Sequence, residues 1–185
     1  MRVFSALPLA PVAVSGIETA FSSMRQLYPR LRWAGSQGLH FTLHFFGELP
    51  DESVDAVRRV LDDPALYRPP IPARLGSVGQ FPPRGSPRVI WVGVEKGEAE
   101  MREYWKLFED KVAPLGFAAD ARGFTPHVTI ARAGSVPLES GWSEGIAVPS
   151  VDFLLEECVL FQSLLGRGGA QYVPLKRIAF QKEER

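Results

Sequence analysis

The chain has 185 residues, of which 45% are hydrophobic and 23% charged, a composition typical of a globular protein. Its 21 basic and 21 acidic residues cancel, which excludes a strong overall positive field for binding long nucleic acid duplexes. Cys158 is the only cysteine, so an intrachain disulfide and a thiolate metal cluster are both excluded, and we expect it to be buried. No apolar run approaches the ~20 residues of a membrane span. We therefore expect a cytoplasmic protein with a single bilobal domain over residues 1–185.

Apolar periodicity predicts strands and helices in alternation, with turns rich in proline and glycine between them. The predicted strands span residues 2–7, 39–46 (ended by Gly47), 73–81, 88–95, 125–132, 151–165 (one or two strands) and 171–180. The predicted helices cover residues 11–28, residues 98–115 and a segment that begins at Asp51, the expected N-cap. Loops or turns are expected at residues 62–72, 82–87 and 166–169.

One short pattern, His-x-Thr-aliphatic, occurs twice within apolar runs. Residues 40–43 read HFTL and residues 127–130 read HVTI. The chain has only three histidines, and two of them occupy equivalent positions in the two copies. Because side chains alternate along a strand, the His and Thr of each copy project from the same face. Each predicted strand therefore presents one imidazole beside one hydroxyl.

The spacing of the two motifs indicates an internal duplication. They are separated by 127 − 40 = 87 residues, nearly half of the chain, and each is accompanied by an amphipathic helix. We therefore expect an α+β fold with mostly antiparallel sheet, built as two lobes related by a pseudo-twofold axis. The two motif strands would line a cleft between the lobes.

Two imidazoles and two hydroxyls around one small anion suit phosphate chemistry. Histidine titrates near neutrality, so one ring can take a proton from water while the other gives a proton to a departing oxygen. Phosphoryl transfer needs the attacking and leaving oxygens roughly in line, which two opposed histidines satisfy. Thr42 and Thr129 would donate hydrogen bonds to the non-bridging oxygens. The candidate catalytic residues are therefore His40 and His127.

His44 is the third histidine, and alternation places it on the face of His40 and Thr42. This leaves open a contact at the rim of the site, or a three-histidine metal site completed by His127. Against a metal, residues four apart on a strand are about 13 Å apart at its rise of ~3.3 Å per residue. We therefore favour a structural role for His44 and predict no metal or other cofactor.

Two further residues, Arg132 and Tyr172, have competing interpretations. Arg132 follows the second motif, and strict alternation would turn it away from His127, although a bulge could re-aim it toward a phosphate. Tyr172 could stack on a base, but we favour a place in the core. Three of the four tryptophans are interpreted as packing residues; they are Trp33, Trp91 and Trp105.

With these residues in view, the sequence resembles the 2H phosphoesterases, and within them the RNA 2′,3′-cyclic phosphodiesterase branch, historically called 2′-5′ RNA ligases. The segments that carry the resemblance are residues 2–7, 39–48, 88–93, 126–132 and 172–175. The resemblance implies a bilobal α+β fold and metal-independent hydrolysis of a terminal 2′,3′-cyclic phosphate to a 2′-phosphate. It implies that His40 is the acid, that His127 is the base and that Arg132 contacts substrate. His44 falls at a variable position of the family pattern.

Two alternatives to hydrolysis remain. The same histidines would catalyse the reverse reaction, 2′-5′ RNA ligation, although the abundance of water favours hydrolysis. A nucleotide-binding module without turnover is disfavoured because both His-Thr pairs are intact. The expected partners are RNA 3′ ends or small cyclic nucleotides, with no membrane and no obligate protein partner.

Overall fold

The structure, a computed structural model, describes residues 1–121, 123–166 and 169–181. Its strands are β1 (Arg2–Pro8), β2 (Arg32–Trp33), β3 (His40–Glu48), β4 (Ile71–Phe81), β5 (Val89–Lys96), β6 (Val128–Arg132), β7 (Asp152–Leu155), β8 (Glu157–Gly166) and β9 (Gly169–Ala179). Its α-helices are α1 (Pro11–Ala20), α2 (Ser22–Leu27), α3 (Asp51–Val60) and α4 (Glu98–Val112).

The strands form one curled antiparallel sheet in the order β7-β4-β5-β6-β3-β1-β8-β9, with β2 paired to β6. The predicted α+β class with mostly antiparallel sheet is confirmed. The sheet divides into two half-sheets, β3-β1-β8-β9 and β6-β5-β4-β7, which meet where β3 pairs with β6. The two motif strands are therefore the innermost strand of each half-sheet.

The half-sheets repeat one local arrangement. In the first, β1 leads through α1 and α2 to β3, which pairs with β1; in the second, β5 leads through α4 to β6, which pairs with β5. The two units are not successive halves of the sequence, because the C-terminal hairpin β8–β9 returns to pair with β1. The last strands of the chain thus complete the half-sheet that carries the first motif.

The hydrophobic core fills the helix-covered face of the sheet. Phe41 and Val128, in the middle of the motif strands, are fully buried, and so is Phe108 of α4. Cys158 is buried and free, as predicted. Because His40 and Thr42 flank Phe41 on the same strand, alternation turns them to the other face, where they stay partly exposed.

Local details differ from the predictions at several places: β2 was not predicted, β4 begins at Ile71 inside the predicted loop, and β6 begins only at Val128. The helix expected over residues 11–28 divides at Phe21, whose side chain is fully buried and whose backbone is not helical (φ −99°, ψ 5°). The N-cap prediction for Asp51 is wrong: Pro50 is the N-cap, and Asp51 begins the helix, where its carboxylate faces the positive end of the helix dipole. Strand β3 does not end at Gly47, which takes a positive φ of 77° within it, but continues to Glu48.

The turn predicted over residues 166–169 includes residues 167 and 168, which lie outside the described residues. Among the helices that the structure describes, none has the length and apolar character needed to cross a membrane.

Candidate active site

The two motifs lie side by side across the junction of the half-sheets. β3 and β6 are antiparallel, with Phe41 opposite Val128. Continuing this register by one residue in each direction places Thr42 opposite His127 and His40 opposite Thr129. Phe41 and Val128 point into the core on the helix-covered face of the sheet. The two His-Thr pairs therefore point together to the opposite face, which we call the open face. The predicted meeting of the motifs therefore occurs in the structure.

An aromatic enclosure surrounds the His40 ring. The ring centroid lies 4.9 Å from that of Phe4, 5.4 Å from that of Tyr172 and 6.3 Å from that of Phe161. Burial lowers the pKa of His40 from 6.5 to about 4; its hydrogen bond to the Gly38 carbonyl opposes this shift, and the nearby His127 adds to it. His40 is therefore neutral at pH 7 in the free protein.

Glycine at position 38 leaves room for the Tyr172 ring. A Cβ on Gly38 would lie only 3.0 Å from that ring, so the ring would have to move by a few tenths of an ångström. The ring stands edge-on to His40 and is partly exposed. The core placement that we favoured for Tyr172 is wrong, because the ring stands partly exposed beside His40.

His127 has a defined tautomer. Its Nδ1–H donates to the Thr125 carbonyl at 2.7 Å, so in the neutral ring Nε2 is the unprotonated acceptor. The pKa of His127 is lowered, chiefly by burial and also by the charge of Arg132, while the bond to Thr125 opposes the shift. The ring meets Phe81 edge-to-face with centroids 5.1 Å apart.

Trp91 is an aromatic neighbour of His127. Its ring centroid lies 6.2 Å from that of His127. A Cβ on Gly79, the residue paired with Trp91, would lie 2.2 Å from the indole, so only glycine lets the ring lie across β4. Trp91 was predicted only as a packing residue, and nothing in its local sequence indicated this contact.

A β-bulge lies immediately after the second motif. On β5 the consecutive residues Ile90 and Trp91 pair with Ala131 and Thr129 of β6, which leaves Ile130 as an extra residue. A bulge of this kind shifts the alternation of side chains by one position. Beyond the bulge, the face assigned to each residue of β6 is therefore reversed.

The bulge brings Arg132 to the open face. Arg132 pairs with Val89, which lies two residues before the partner of Thr129 and therefore on the same face. Its charge contributes to lowering the pKa of His127, as expected for a guanidinium near that ring. Strict alternation, which would turn Arg132 away from His127, is therefore broken by the bulge. Arg132 lies on the same face as the motif, as expected if a bulge re-aims it.

A matching bulge in β3 has the opposite effect on His44. The consecutive residues Ser5 and Ala6 of β1 pair with His44 and Thr42, so Leu43 is the extra residue. His44 therefore shares the face of Ser5, opposite that of Thr42. The prediction that His44 lies on the face of the motif is wrong.

His44 belongs instead to the helix-covered side. Its Nδ1–H donates to Oε1 of Glu109 in α4 at 2.8 Å, and its ring lies 4.4 Å from Phe46. Both members of the pair are only 9% exposed in their side chains. Because His44 lies across the sheet from His40 and His127, these three rings cannot share a metal ion; the residues described here contain no other group of His, Cys, Asp and Glu suited to one.

The polar groups that remain on the open face are available to a ligand. Thr42 and Thr129 are partly exposed and Arg132 is exposed. Within the described part of the chain, neither threonine hydroxyl is hydrogen-bonded and Arg132 forms no ion pair. The face therefore combines two neutral imidazoles, two hydroxyl donors and one cation, which together suit a phosphate group.

Comparison with known proteins identifies the family of this chain. A model of the 2′-5′ RNA ligase superfamily matches residues 13–163. The chain belongs to this superfamily. The resemblance stated from the motifs is thereby confirmed, and the superfamily includes proteins similar along most of this chain.

Two relatives of the superfamily are named RNA 2′,3′-cyclic phosphodiesterase. The protein from Geobacillus stearothermophilus is 30% identical over 162 residues, which cover 86% of this chain and 51% of that protein. The chain thus spans about half the length of that relative. The Thermotoga maritima protein is 27% identical over 152 residues, 80% of this chain and 79% of the relative.

Two solved structures share the fold of this chain. A protein from Thermus thermophilus, TT0787, has a TM-score of 0.81 with 26% identity over the whole of both chains. Escherichia coli LigT, crystallised with 3′-AMP, has a TM-score of 0.75 with 24% identity over 98% of each chain. At these identities the likeness establishes the architecture, and the chemistry rests on the residues themselves.

Proposed function

We propose that this protein hydrolyses the terminal 2′,3′-cyclic phosphate of RNA to a 2′-phosphate, using His40 and His127 as acid and base. The observation that carries the proposal is the register of β3 and β6, which brings both His-Thr pairs to one open face. The names of the Geobacillus and Thermotoga relatives support the same reaction and RNA as the substrate class. Small cyclic nucleotides with the same cyclic phosphate are the alternative substrates.

His127 has the tautomer that a general base needs. With Nδ1–H held by the Thr125 carbonyl, the Nε2 lone pair can accept a proton from water. The water oxygen forms a new bond to phosphorus as its proton passes to Nε2. The bond from phosphorus to the ribose 3′ oxygen breaks, and the phosphate stays on the 2′ oxygen.

His40 would protonate the departing 3′ oxygen. In the free protein its pKa of about 4 leaves it neutral, so the acid has to be charged in the complex with substrate. A cyclic phosphodiester is an anion, and an opposite charge within a few ångströms raises the pKa of an imidazole. The enclosure by Phe4 and Tyr172 strengthens this effect because it limits screening by water.

The remaining donors would stabilise charge on phosphorus oxygens. The hydroxyls of Thr42 and Thr129 lie on the same face as the histidines and are uncommitted within the described residues. The guanidinium of Arg132 provides a permanent positive charge near His127. As the pentavalent transition state forms, these donors would bind the non-bridging oxygens more strongly than in the ground state.

The test is incubation with an oligoribonucleotide ending in a 2′,3′-cyclic phosphate, in the presence of EDTA, with the product resolved as 2′- or 3′-phosphate. We expect clean conversion to the 2′-phosphate. A 3′-phosphate product would contradict the assignment of the leaving oxygen. Activity that disappears with EDTA and returns with a divalent metal would contradict the metal-independent mechanism.

The superfamily's description as 2′-5′ RNA ligases makes ligation the second candidate. In ligation a 5′-hydroxyl would take the place of water: His127 would accept its proton and His40 would protonate the 3′ oxygen. For cleavage of the 2′-5′ linkage the two rings would exchange roles by microscopic reversibility. Adding an RNA with a free 5′-hydroxyl to the assay separates ligation from hydrolysis, because ligation yields a longer strand. Binding of the cyclic end without either product would favour a module that binds nucleotides without turnover.

The value of kcat/KM is expected to peak below pH 6.5. The acid must be protonated, so activity is lost as pH rises through its pKa; the base must be neutral, so activity is lost as pH falls through its pKa. The pKa of His40 is about 4 and that of His127 lies below 6.5, so both limbs fall on the acid side of neutrality. Initial rates from about pH 4 to about pH 9 measure this, since kcat/KM reports the free enzyme.

The Tyr172→Ala variant tests whether the pKa of His40 sets the alkaline limb of this profile. Removing the ring opens His40 to water, which raises its pKa toward the ordinary value and moves the alkaline limb to higher pH.

Because bound phosphate raises the pKa of both histidines, kcat of the wild type should peak at higher pH than kcat/KM. A wild-type kcat/KM optimum at or above about pH 8 would contradict the two-histidine mechanism.

A further inference from the structure

A second exposed arginine, Arg32, lies on the open face and has no part in the chemistry described above. Strand β2 pairs with β6 so that Arg32 stands directly opposite Arg132. The next residue, Trp33, pairs with Ala131 and packs edge-on against Phe21 on the helix-covered side, with centroids 6.2 Å apart. Because neighbouring residues of a strand point to opposite faces, Arg32 points to the face of the active site.

The position of β2 makes Arg32 an extension of that site. β3 pairs with β6 at Val128, and β2 pairs with the other end of β6 at Arg132. Along β6, starting from His127, the open face therefore presents Thr129, then Arg132 with Arg32 beside it. The two arginines form a positively charged end to the row of phosphate-binding groups on the open face.

The pairing of two arginines needs an explanation, because like charges directly opposite each other on a sheet are destabilising. Both side chains are exposed, and neither forms an ion pair within the described residues. Arg32 Nη2 lies 3.8 Å from the place of a Cβ on Gly134, just beyond the end of β6. The guanidinium thus extends past Arg132, away from the catalytic histidines. An anion bound between or beside them would offset the repulsion.

We propose that Arg32 binds the phosphate on the 5′ side of the terminal nucleotide of an RNA substrate. The inference rests on the proposed function, since it takes the cyclic phosphate to lie at the two histidines. A mononucleotide has only the cyclic phosphate, whereas an oligoribonucleotide has a second anion one nucleotide away. Arg32 therefore makes the protein select oligoribonucleotide ends over small cyclic nucleotides, which the reaction chemistry alone would not distinguish.

The experiment compares three substrates that share one terminal nucleoside 2′,3′-cyclic phosphate. They are the mononucleotide, the dinucleotide, and the dinucleotide with a neutral methylphosphonate in place of its internal phosphate. For Arg32→Gln, we expect the kcat/KM ratio of charged to neutral dinucleotide to fall about tenfold, the size of a charge-assisted hydrogen bond. Arg32→Lys should restore part of the ratio, because it keeps the charge without the fork of donors.

Arg59→Gln, at an exposed arginine of α3, is the matched control and should keep the wild-type ratio. In the wild type, replacing the internal phosphate should lower kcat/KM by the same factor as Arg32→Gln does with the charged dinucleotide. The two changes together should lower kcat/KM no further. If Arg32→Gln lowers kcat/KM equally for all three substrates, or changes none of them, the proposal is overturned.

Failure of the proposed function would be distinguishable from failure of this inference. If the wild type hydrolyses no substrate, the same comparison is made by equilibrium binding of the charged and methylphosphonate dinucleotides. A loss of discrimination in Arg32→Gln then still supports the phosphate contact, and unchanged discrimination overturns it. In Arg32→Gln, the slope of log affinity against log salt concentration should be smaller in magnitude than in the wild type by about 0.7 for the charged dinucleotide. For the methylphosphonate dinucleotide the slope should not change.

Discussion

His40→Ala and His127→Ala are each expected to lower kcat for cyclic phosphate hydrolysis by about 10²–10⁴-fold, the usual contribution of a positioned acid or base. Neither change removes the hydroxyls or Arg132, so binding of a 2′-phosphate product should weaken far less than turnover. The measurements are single-turnover rates with a cyclic-ended oligoribonucleotide and equilibrium binding of the product. The double variant should be little slower than either single variant, because the two rings act in one step.

The chain supplies its own histidine control. His44 lies on the opposite face of β3 and bonds to Glu109, and a glutamine at position 44 can still donate to that carboxylate. His44→Gln should therefore keep kcat while lowering the melting temperature slightly. If His44→Gln lost as much activity as His40→Ala, or if either motif variant kept more than about a tenth of wild-type kcat, the catalytic assignment would be wrong.

The motif pairs show what alternation in a sequence can establish. The i, i+2 spacing correctly places His40 with Thr42, because no irregularity separates them. Two residues farther along, the same rule places His44 wrongly, and in β6 it places Arg132 wrongly. Each error comes from one extra residue in the strand, which reverses the faces of the residues directly after it.

These bulges were not predictable from local sequence. A bulge is defined by the pairing with the neighbouring strand: Leu43 is extra only relative to β1, and Ile130 only relative to β5. Both are ordinary aliphatic β-formers, and neither carries the glycine that marks some bulges. The symmetry of the two insertions follows from the repeated β–helix–β unit, which the spacing of the motifs did indicate.

The aromatic enclosure also depends on distant pairing. Tyr172 is 132 residues from His40 along the chain (172 − 40 = 132), and it arrives there only because β9 follows β8, which returns to β1. From the sequence alone, both histidines are therefore expected to have an ordinary pKa. The structure instead gives His40 a pKa of about 4 and makes its protonation depend on the bound anion.

Thr42→Val and Thr129→Val are expected to have the next largest effects, each lowering kcat by about 10²-fold, the lower range for loss of one transition-state donor. Valine keeps the volume and the β-branch, so the strands and the enclosing rings should stay in place. KM should change less than kcat, because the hydroxyls bind the non-bridging oxygens most strongly when charge accumulates on them. Steady-state kinetics with the cyclic-ended oligoribonucleotide measure both constants.

Thr→Ser at the same positions separates the hydroxyl from the methyl group. Serine keeps the donor, so Thr42→Ser and Thr129→Ser should recover most of kcat, while Thr19→Val on the exposed face of α1 controls for the substitution itself. A rise in KM with unchanged kcat would mean that the hydroxyls bind substrate and transition state equally. In that case Arg132, as the permanent cation near His127, would be left as the main group that stabilises the transition state, and Arg132→Gln should then cost more in kcat than both threonines together.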